Sequence, residues 1–244
     1  MVFKQLLRKT KPVDIESIKS DFVSLSSHQL RTPLSAVKWY AELMLSKKAG
    51  KLNEKQEQYL RQIYRSNDRA INLVNDLLDV SRIQQGQIHL EFRPTKVETI
   101  IAEAQENLYD LIKAGKIAID YEIVGGPLPS VNTDPEKLKR IMSNIIGNAI
   151  RYTPAGGKVR IAAKKDKDFI VMAVSDTGVG IPEADKKKIF DKFFRSQNAM
   201  RLAPDGTGLG LFITKSLIGA MGGKISFESE EGKGTTFRLS LPLT

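Results

Sequence analysis

The stretch SSHQLRTPL, residues 26–34, holds His28, one of two histidines in a chain of 244 residues, followed by Gln29, Arg31, Thr32 and Pro33. Near pH 7 an imidazole is largely neutral, so a ring lone pair is available to act as a nucleophile. The flanking apolar residues follow helical spacing. Projected at about 100° per residue, His28 falls roughly 140° from their mean direction and is expected to face solvent. Pro33 has no N–H for the carbonyl of Gln29 and crowds it, which predicts a helix able to bend one turn after His28. An exposed histidine is ordinarily only a surface residue, and His89, within QIHLEF, keeps that reading.

Four later stretches ask for more than packing. In NIIGNAIRYT, Asn144 and Asn148 stand four apart and share one helix face. A side-chain amide oxygen is a suitable hard ligand for magnesium; the plain alternative is a pair of solvated amides. In VSDTGVGIP, Asp176 ends an apolar strand. Buried there it would need a donor, such as a purine amino group, unless the segment is an ordinary Asp-Thr-Gly turn. Gly178 and Gly180 are expected to take positive φ and to let the backbone approach a flat ligand. GTGLGL places Gly206, Gly208 and Gly210, with Thr207 and Leu209 between them, at the opening of a helix whose free N–H groups could meet phosphates. No strand directly precedes it and the GK[ST] signature is missing, so it is neither a Rossmann nor a P-loop arrangement. IFDKFFRS reads as a Phe core cluster or as a mobile segment.

The elements that must hold these residues differ between the two halves of the chain. Hydrophobic residues make up 41% of it and aromatic ones 7%, enough for a buried core. No apolar run approaches the roughly 20 residues that a membrane span needs, and no signal-peptide pattern opens the chain. Cysteine is absent, which excludes disulfides and thiolate metal sites and fits a cytoplasmic protein. The net charge of +10 suits an anionic partner, but no aromatic residues interleave with a basic stripe, so nucleic acid is not expected. Ile15, Ile18, Phe22, Leu25, Leu30, Leu34, Val37, Ala41 and Met44 mark one helix. After SKKAGKLN, Asn53 and Gln56 open a second with a capping box. Its seam is Leu60, Ile63, Asn67, Ala70, Val74, Leu77 and Ser81. Two such helices bury little alone, which predicts a dimeric four-helix bundle, with docking of the hairpin on the second half as the alternative. After Gly86 the texture changes: QIHLEF alternates until Arg93-Pro94, a helix covers about 97–113, and strands follow at KIAIDYEI, KVRIAAK, FIVMAVS, KISFES and TTFRLSLPL. Asp134-Pro135 caps a further helix. Mixed strands and helices without regular alternation predict an α+β two-layer sandwich. The expected divisions are a linker over 1–14 entering from something upstream, the hairpin over 15–86 and the sandwich over 87–244.

Taken in order, NIIGNAIRYTPAGG, DTGVGIP, IFDKFFR and GTGLGLFI resemble the ATP-binding domain of sensor histidine kinases, the Bergerat-type fold also found in gyrase-type and chaperone ATPases. SDFVSLSSHQLRTPL resembles the phospho-acceptor box of the same kinases, so the likeness spans nearly the whole chain. The resemblance implies that Asn148 holds Mg2+ with Asn144 toward the phosphates of ATP, and that Arg151, where the family usually has Lys, meets phosphate as a fork of donors. Tyr152 would flank the nucleotide, and Asp176 would accept from the adenine amino group in a pocket shaped by Gly178 and Gly180. Residues 181–205 would form a lid hinged on Gly206, Gly208 and Gly210.

The implied activity is ATP-dependent phosphorylation of His28 in a homodimer, followed by transfer to an Asp of a response-regulator receiver domain. Gln29, Arg31 and Thr32 would shape the acceptor site. The family usually carries Glu or Asp after the histidine. Gln29 can accept the Nδ1–H bond but cannot act as a base. Thr32 matches the position used to orient a water in dephosphorylation. Two alternatives stay open: a degenerate kinase acting as a regulator-binding phosphatase or scaffold, and a conformational ATPase of the gyrase or chaperone type.

Overall fold

The computed structural model describes residues 15–46, 48, 50–204 and 206–243, without the side chains of residues 15–25 and His28. The linker expected over 1–14, the apolar roles given to Ile15, Ile18, Phe22 and Leu25, and the outward direction given to His28 therefore lie outside the described residues. The chain divides into two compact units, Met1–Gln87 and Ile88–Thr244.

The first unit is a helical hairpin of α1 (Ile15–Leu45) and α2 (Glu54–Gln84). Helix α1 runs through Pro33 as one uninterrupted element. Asn53 opens α2 with both arms of a capping box: its side chain accepts from Gln56 N–H, and the Gln56 side chain accepts from Asn53 N–H. Along the expected seam Asn67, Val74 and Ser81 are buried, joined by Leu78 and Val80, but Ile63 is 48% exposed. Leu30, Val37 and Met44, seven residues apart on α1, are also exposed. The hairpin thus covers only part of its apolar surface by itself.

The second unit is a mixed five-stranded sheet with helices packed on one face. Its strand order is β2 (Ala118–Val124), β4 (Lys158–Asp166), β5 (Phe169–Asp176), β7 (Gly234–Pro242), β6 (Lys224–Glu230). Strands β2 and β4 are parallel, and the other neighbours are antiparallel. Alternate residues, Val159, Ile161 and Ala163 on β4 and Ile170, Met172 and Val174 on β5, are buried on the helix side. Against them packs α5 (Pro135–Arg151), with Leu138, Ile141, Met142, Ile145 and Ile146 buried, flanked by α3 (Val97–Asn107) and α7 (Gly210–Ala220). Two short helices, α4 (Tyr109–Gly115) and α6 (Gln197–Leu202), and a 3-10 turn over Glu183–Asp185 complete the unit.

Two element boundaries differ from the sequence reading. QIHLEF forms no ladder; β1 is Arg93–Thr95, across the Arg93-Pro94 pair that seemed to end the pattern, and pairs with β3 (Val131–Thr133). A two-stranded ribbon tolerates proline because one side of each strand needs no N–H. The single helix expected over 97–113 is interrupted at Leu108 (φ −103°, ψ 6°), which ends α3 and starts α4.

Asp134 joins these pieces. Its Oδ1 accepts from Lys137 N–H as the N-cap of α5, and its Oδ2 accepts from Glu91 N–H of the incoming segment, both at 3.0 Å. The carboxylate is 5% exposed, so its replacement would leave two donors without an acceptor. Asp134→Ala is expected to cost about 1–3 kcal/mol, read as a lowered urea midpoint, with Asp134→Asn recovering the cap share.

Candidate functional site

On the hairpin, Gln29 and Thr32 are exposed, and Ser27 beside His28 is buried. Arg31 is half-buried, with its guanidinium turned to α2: Nε and Nη2 both donate to Asn75 Oδ1, at 3.2 and 2.6 Å. The residue expected to shape the acceptor site is therefore tied to the second helix, and Asn75 has no counterpart in the sequence reading.

In the second unit the polar residues gather around the ends of α5, α7 and β5. Asp176 ends β5, and its Oδ1 accepts from Gly178 N–H at 2.8 Å and Thr235 N–H at 3.1 Å. Among the described residues Oδ2 has no donor. Burial raises the Asp176 pKa from 3.8 to about 6, against the opposing pull of those two N–H bonds. The carboxylate is thus desolvated, half satisfied and open on one oxygen, which suits a ligand N–H donor.

The loop after Asp176 is pinned from both sides. Val179 N–H donates to the carbonyl of Tyr152, the C-cap of α5, and Gly232 N–H donates to the carbonyl of Val179. Ile181 N–H donates to Ser229 Oγ, which donates to Gly234 O. Of the two loop glycines only Gly180 takes positive φ (+66°), and a Cβ there would lie 2.0 Å from Glu230 O. Gly178 has ordinary φ and is required instead by the Tyr152 carbonyl, 2.4 Å from its would-be Cβ. Both glycines admit the protein's own backbone where the sequence suggested a ligand.

Asn144 faces α7. Its Nδ2 donates to Thr214 Oγ1 at 2.9 Å, and its Oδ1 sits 2.4 Å from where a Gly210 Cβ would be. Glycine at 210 is what lets the start of α7 rest on this amide. Asn148, one turn on, is half-buried and among the described residues meets only a long 3.4 Å contact from Arg151 Nη1. Arg151 is exposed. Helix α7 begins at Gly210 after Leu209, which supplies no side-chain cap, so its first N–H groups remain available to an anion. Leu209 is fully buried and could meet a ligand only through its backbone. Thr207 Oγ1 accepts from Leu209 N–H, and Gly208 (φ +70°) accepts from Phe193 N–H.

The Phe-rich segment splits: Phe190 packs edge-on against Phe227 at 5.9 Å, whereas Phe193 is exposed at φ +63°. Next to it Arg195 donates to the carbonyls of Pro204, Gly206, Ala199 and Ala203, stitching α6 to the glycine-rich turn. Its place in FFRS marked a basic residue, but nothing in the sequence named four main-chain partners. Among the described residues no three His, Asp or Glu side chains come together to hold a metal ion. A hard cation here would rest on the Asn148 amide and on ligand phosphates, a donor set that fits magnesium.

Residues 133–244 match the family described as "Histidine kinase-, DNA gyrase B-, and HSP90-like ATPase", and residues 18–86 match "His Kinase A (phospho-acceptor) domain". The catalytic domain of the histidine kinase ThkA is 31% identical, with 97% of that chain covered by 63% of this one and a TM-score of 0.56. The chain belongs to the histidine kinases. It carries the acceptor and ATPase parts of a two-component sensor kinase. Full-length ShkA, solved in complex with AMPPNP, aligns over 92% of this histidine kinase and 46% of its own length, at 30% identity and a TM-score of 0.75. CikA, a circadian input-output histidine kinase of Synechococcus elongatus, is 33% identical over 225 residues, 92% of this chain and 30% of CikA. BarA of Escherichia coli is 33% identical over 235 residues, 95% of this chain and 25% of BarA. The chain thus spans less than a third of these curated relatives.

The Asp176 shift sets a pH dependence with a definite sign. An acid whose pKa is raised in the fold weakens that fold as pH climbs from about 3.8 through about 6, with no further loss above. Asp176→Asn keeps an Oδ1 for both N–H donors and removes the charge. It is expected to be more stable than the parent at pH 8, by up to about 3 kcal/mol, with the two urea midpoints converging near pH 4.

Proposed function

We propose that this chain is an ATP-dependent protein-histidine kinase core that phosphorylates its own His28 and passes the phosphoryl group to an Asp of a response-regulator receiver domain. The observation that carries the reading is Asp176: a desolvated carboxylate with one free oxygen, in the same unit as the uncapped N-terminus of α7. Asp176 Oδ2 accepts from the adenine amino group, Tyr152 flanks the nucleotide, and the first N–H groups of α7 with the Arg151 fork meet the phosphates. Asn148, with Asn144 close by, would hold a magnesium ion that offsets phosphate charge. The His28 lone pair attacks the γ-phosphorus, an N–P bond forms, the bond to the β,γ-bridging oxygen breaks, and ADP leaves.

Gln29 accepts from Nδ1–H and holds the tautomer, leaving the proton to water because an amide is not a base. Thr32 is the candidate for orienting a water when the regulator is dephosphorylated. The exposed row Leu30, Val37 and Met44 supports pairing of two hairpins in a four-helix bundle. The complex of ThkA with the response regulator TrrA, aligned over 92% of this chain at a TM-score of 0.61 and 26% identity, supports a receiver domain as partner. Among the described residues no helix is long and apolar enough to cross a membrane. We place the activity in the cytoplasm.

Gln29 favours a second reading, a regulator-binding phosphatase or scaffold with little kinase activity. Incubation with γ-labelled ATP separates the two. Acid-labile, base-stable label that vanishes in His28→Ala supports the kinase; steady ATP hydrolysis indifferent to His28→Ala points to a conformational ATPase instead. Within the kinase reading, Gln29→Glu is expected to speed labelling about tenfold or more, and an unchanged rate removes the argument about the missing base.

A further inference from the structure

The hairpin carries a polar ladder whose geometry bears on the phospho-acceptor. Arg31 bonds Asn75, Lys38 bonds Asp68 at 2.6 Å, and Tyr64 Oη donates to Glu42 at 3.1 Å. The residue numbers of every pair add to 106, so one antiparallel register serves all three rungs, and a slip of one residue breaks them together. Between rungs Asn67, buried in the seam, donates from Nδ2 to the Leu34 carbonyl at 2.8 Å.

Pro33 divides this set. It lacks the N–H that would bond the Gln29 carbonyl, so the turn carrying His28 is joined to the rest of α1 by one main-chain bond fewer. The ties through Leu34, Lys38 and Glu42 fall beyond the proline. The Arg31–Asn75 rung falls on the His28 side, three residues along the same helical turn. Two guanidinium nitrogens converge on one amide oxygen, which restrains both translation and rotation of that turn.

We propose that Asn75 is a positioning residue for phosphorylation: through Arg31 it sets the rotation of the turn that presents His28. It does not touch the reacting atoms. The inference rests on His28 being the acceptor, and its test keeps the two apart.

The experiment compares Asn75→Ala, Asn75→Asp and Asp68→Ala in the full chain. Asp68→Ala removes a rung of the same ladder ten residues from His28. Expected for Asn75→Ala is a fall of about tenfold or more in the labelling rate, with KM for ATP unchanged, because misorientation is felt in the transfer step and not in nucleotide binding. Asn75→Asp, which restores an acceptor for Arg31, recovers most of the rate. Asp68→Ala lowers the melting temperature to a similar degree but holds the rate within twofold. A second readout needs no ATP: the Cε1–H resonance of His28 moves in Asn75→Ala, returns in Asn75→Asp and stays in Asp68→Ala. Equal rate losses in the two alanine variants, or an unmoved resonance in Asn75→Ala, overturn the proposal. Parent protein that takes no label at His28 overturns the kinase reading instead, and the resonance then still decides the role of Asn75.

Discussion

A half-buried carboxylate with only one of its oxygens bonded is the constraint around which the second unit is arranged. Asp176 gains two main-chain donors, yet burial outweighs them and its pKa rises to about 6. Such a group weakens the unliganded fold at neutral pH, so the surrounding structure must offset it. The offset comes from the layer beneath: the buried faces of α5, β4 and β5 form a continuous apolar core. The loop beyond Asp176 is fixed beside the carboxylate, because Tyr152 holds it from the helix layer and Ser229, Glu230 and Gly234 meet it from the β6–β7 side. The position of that loop is therefore set by backbone contacts. Gly178 and Gly180 are the residues that permit them.

Helix α5 links the Asp176 loop to the start of α7. Asn144, Asn148 and Tyr152 follow one another at four-residue steps along one face and span about 12 Å. The first meets Gly210 and Thr214 of α7, and the last meets the loop of Asp176 through its carbonyl. One rigid helix thus spaces the open carboxylate from the uncapped helix N-terminus. Arg195 adds a second restraint by gathering the carbonyls of α6 and of the glycine-rich turn, so the segment next to α7 is organised by a side chain instead of by a sheet.

Features that depend on a few neighbouring residues were legible in the sequence. Asn53 with Gln56, and Asp134 with Pro135, carry their whole geometry within four positions, and both caps form as read. The five strands of the large sheet were legible for a related reason, since a half-buried strand writes its alternation into its own residues. QIHLEF failed because alternation is necessary for a ladder but not sufficient: β3 offers partners to residues 93–95 only. Leu108 failed because a break without Gly or Pro leaves no mark in the pattern. At the site, residue types pointed to Asn144, Asp176 and the glycines. What each touches depends on segments far off in sequence, so the reading assigned to a ligand the close approaches that Gly178 and Gly180 make to Tyr152 and Glu230.

The hairpin faces a different physical problem. A side chain proposed to meet an outside nucleotide cannot be fixed by burial, so its presentation rests on the helix that carries it. Pro33 loosens even that restraint near the acceptor. Apolar seams define which faces meet but resist sliding poorly, because neighbouring apolar side chains are nearly interchangeable; polar pairs that must match donor to acceptor resist it well. The rungs at Asn75, Asp68 and Tyr64, together with Asn67 on the Leu34 carbonyl, give the hairpin that second kind of restraint. Part-buried polar residues that contribute modestly to stability thereby fix the register of the two helices on both sides of Pro33.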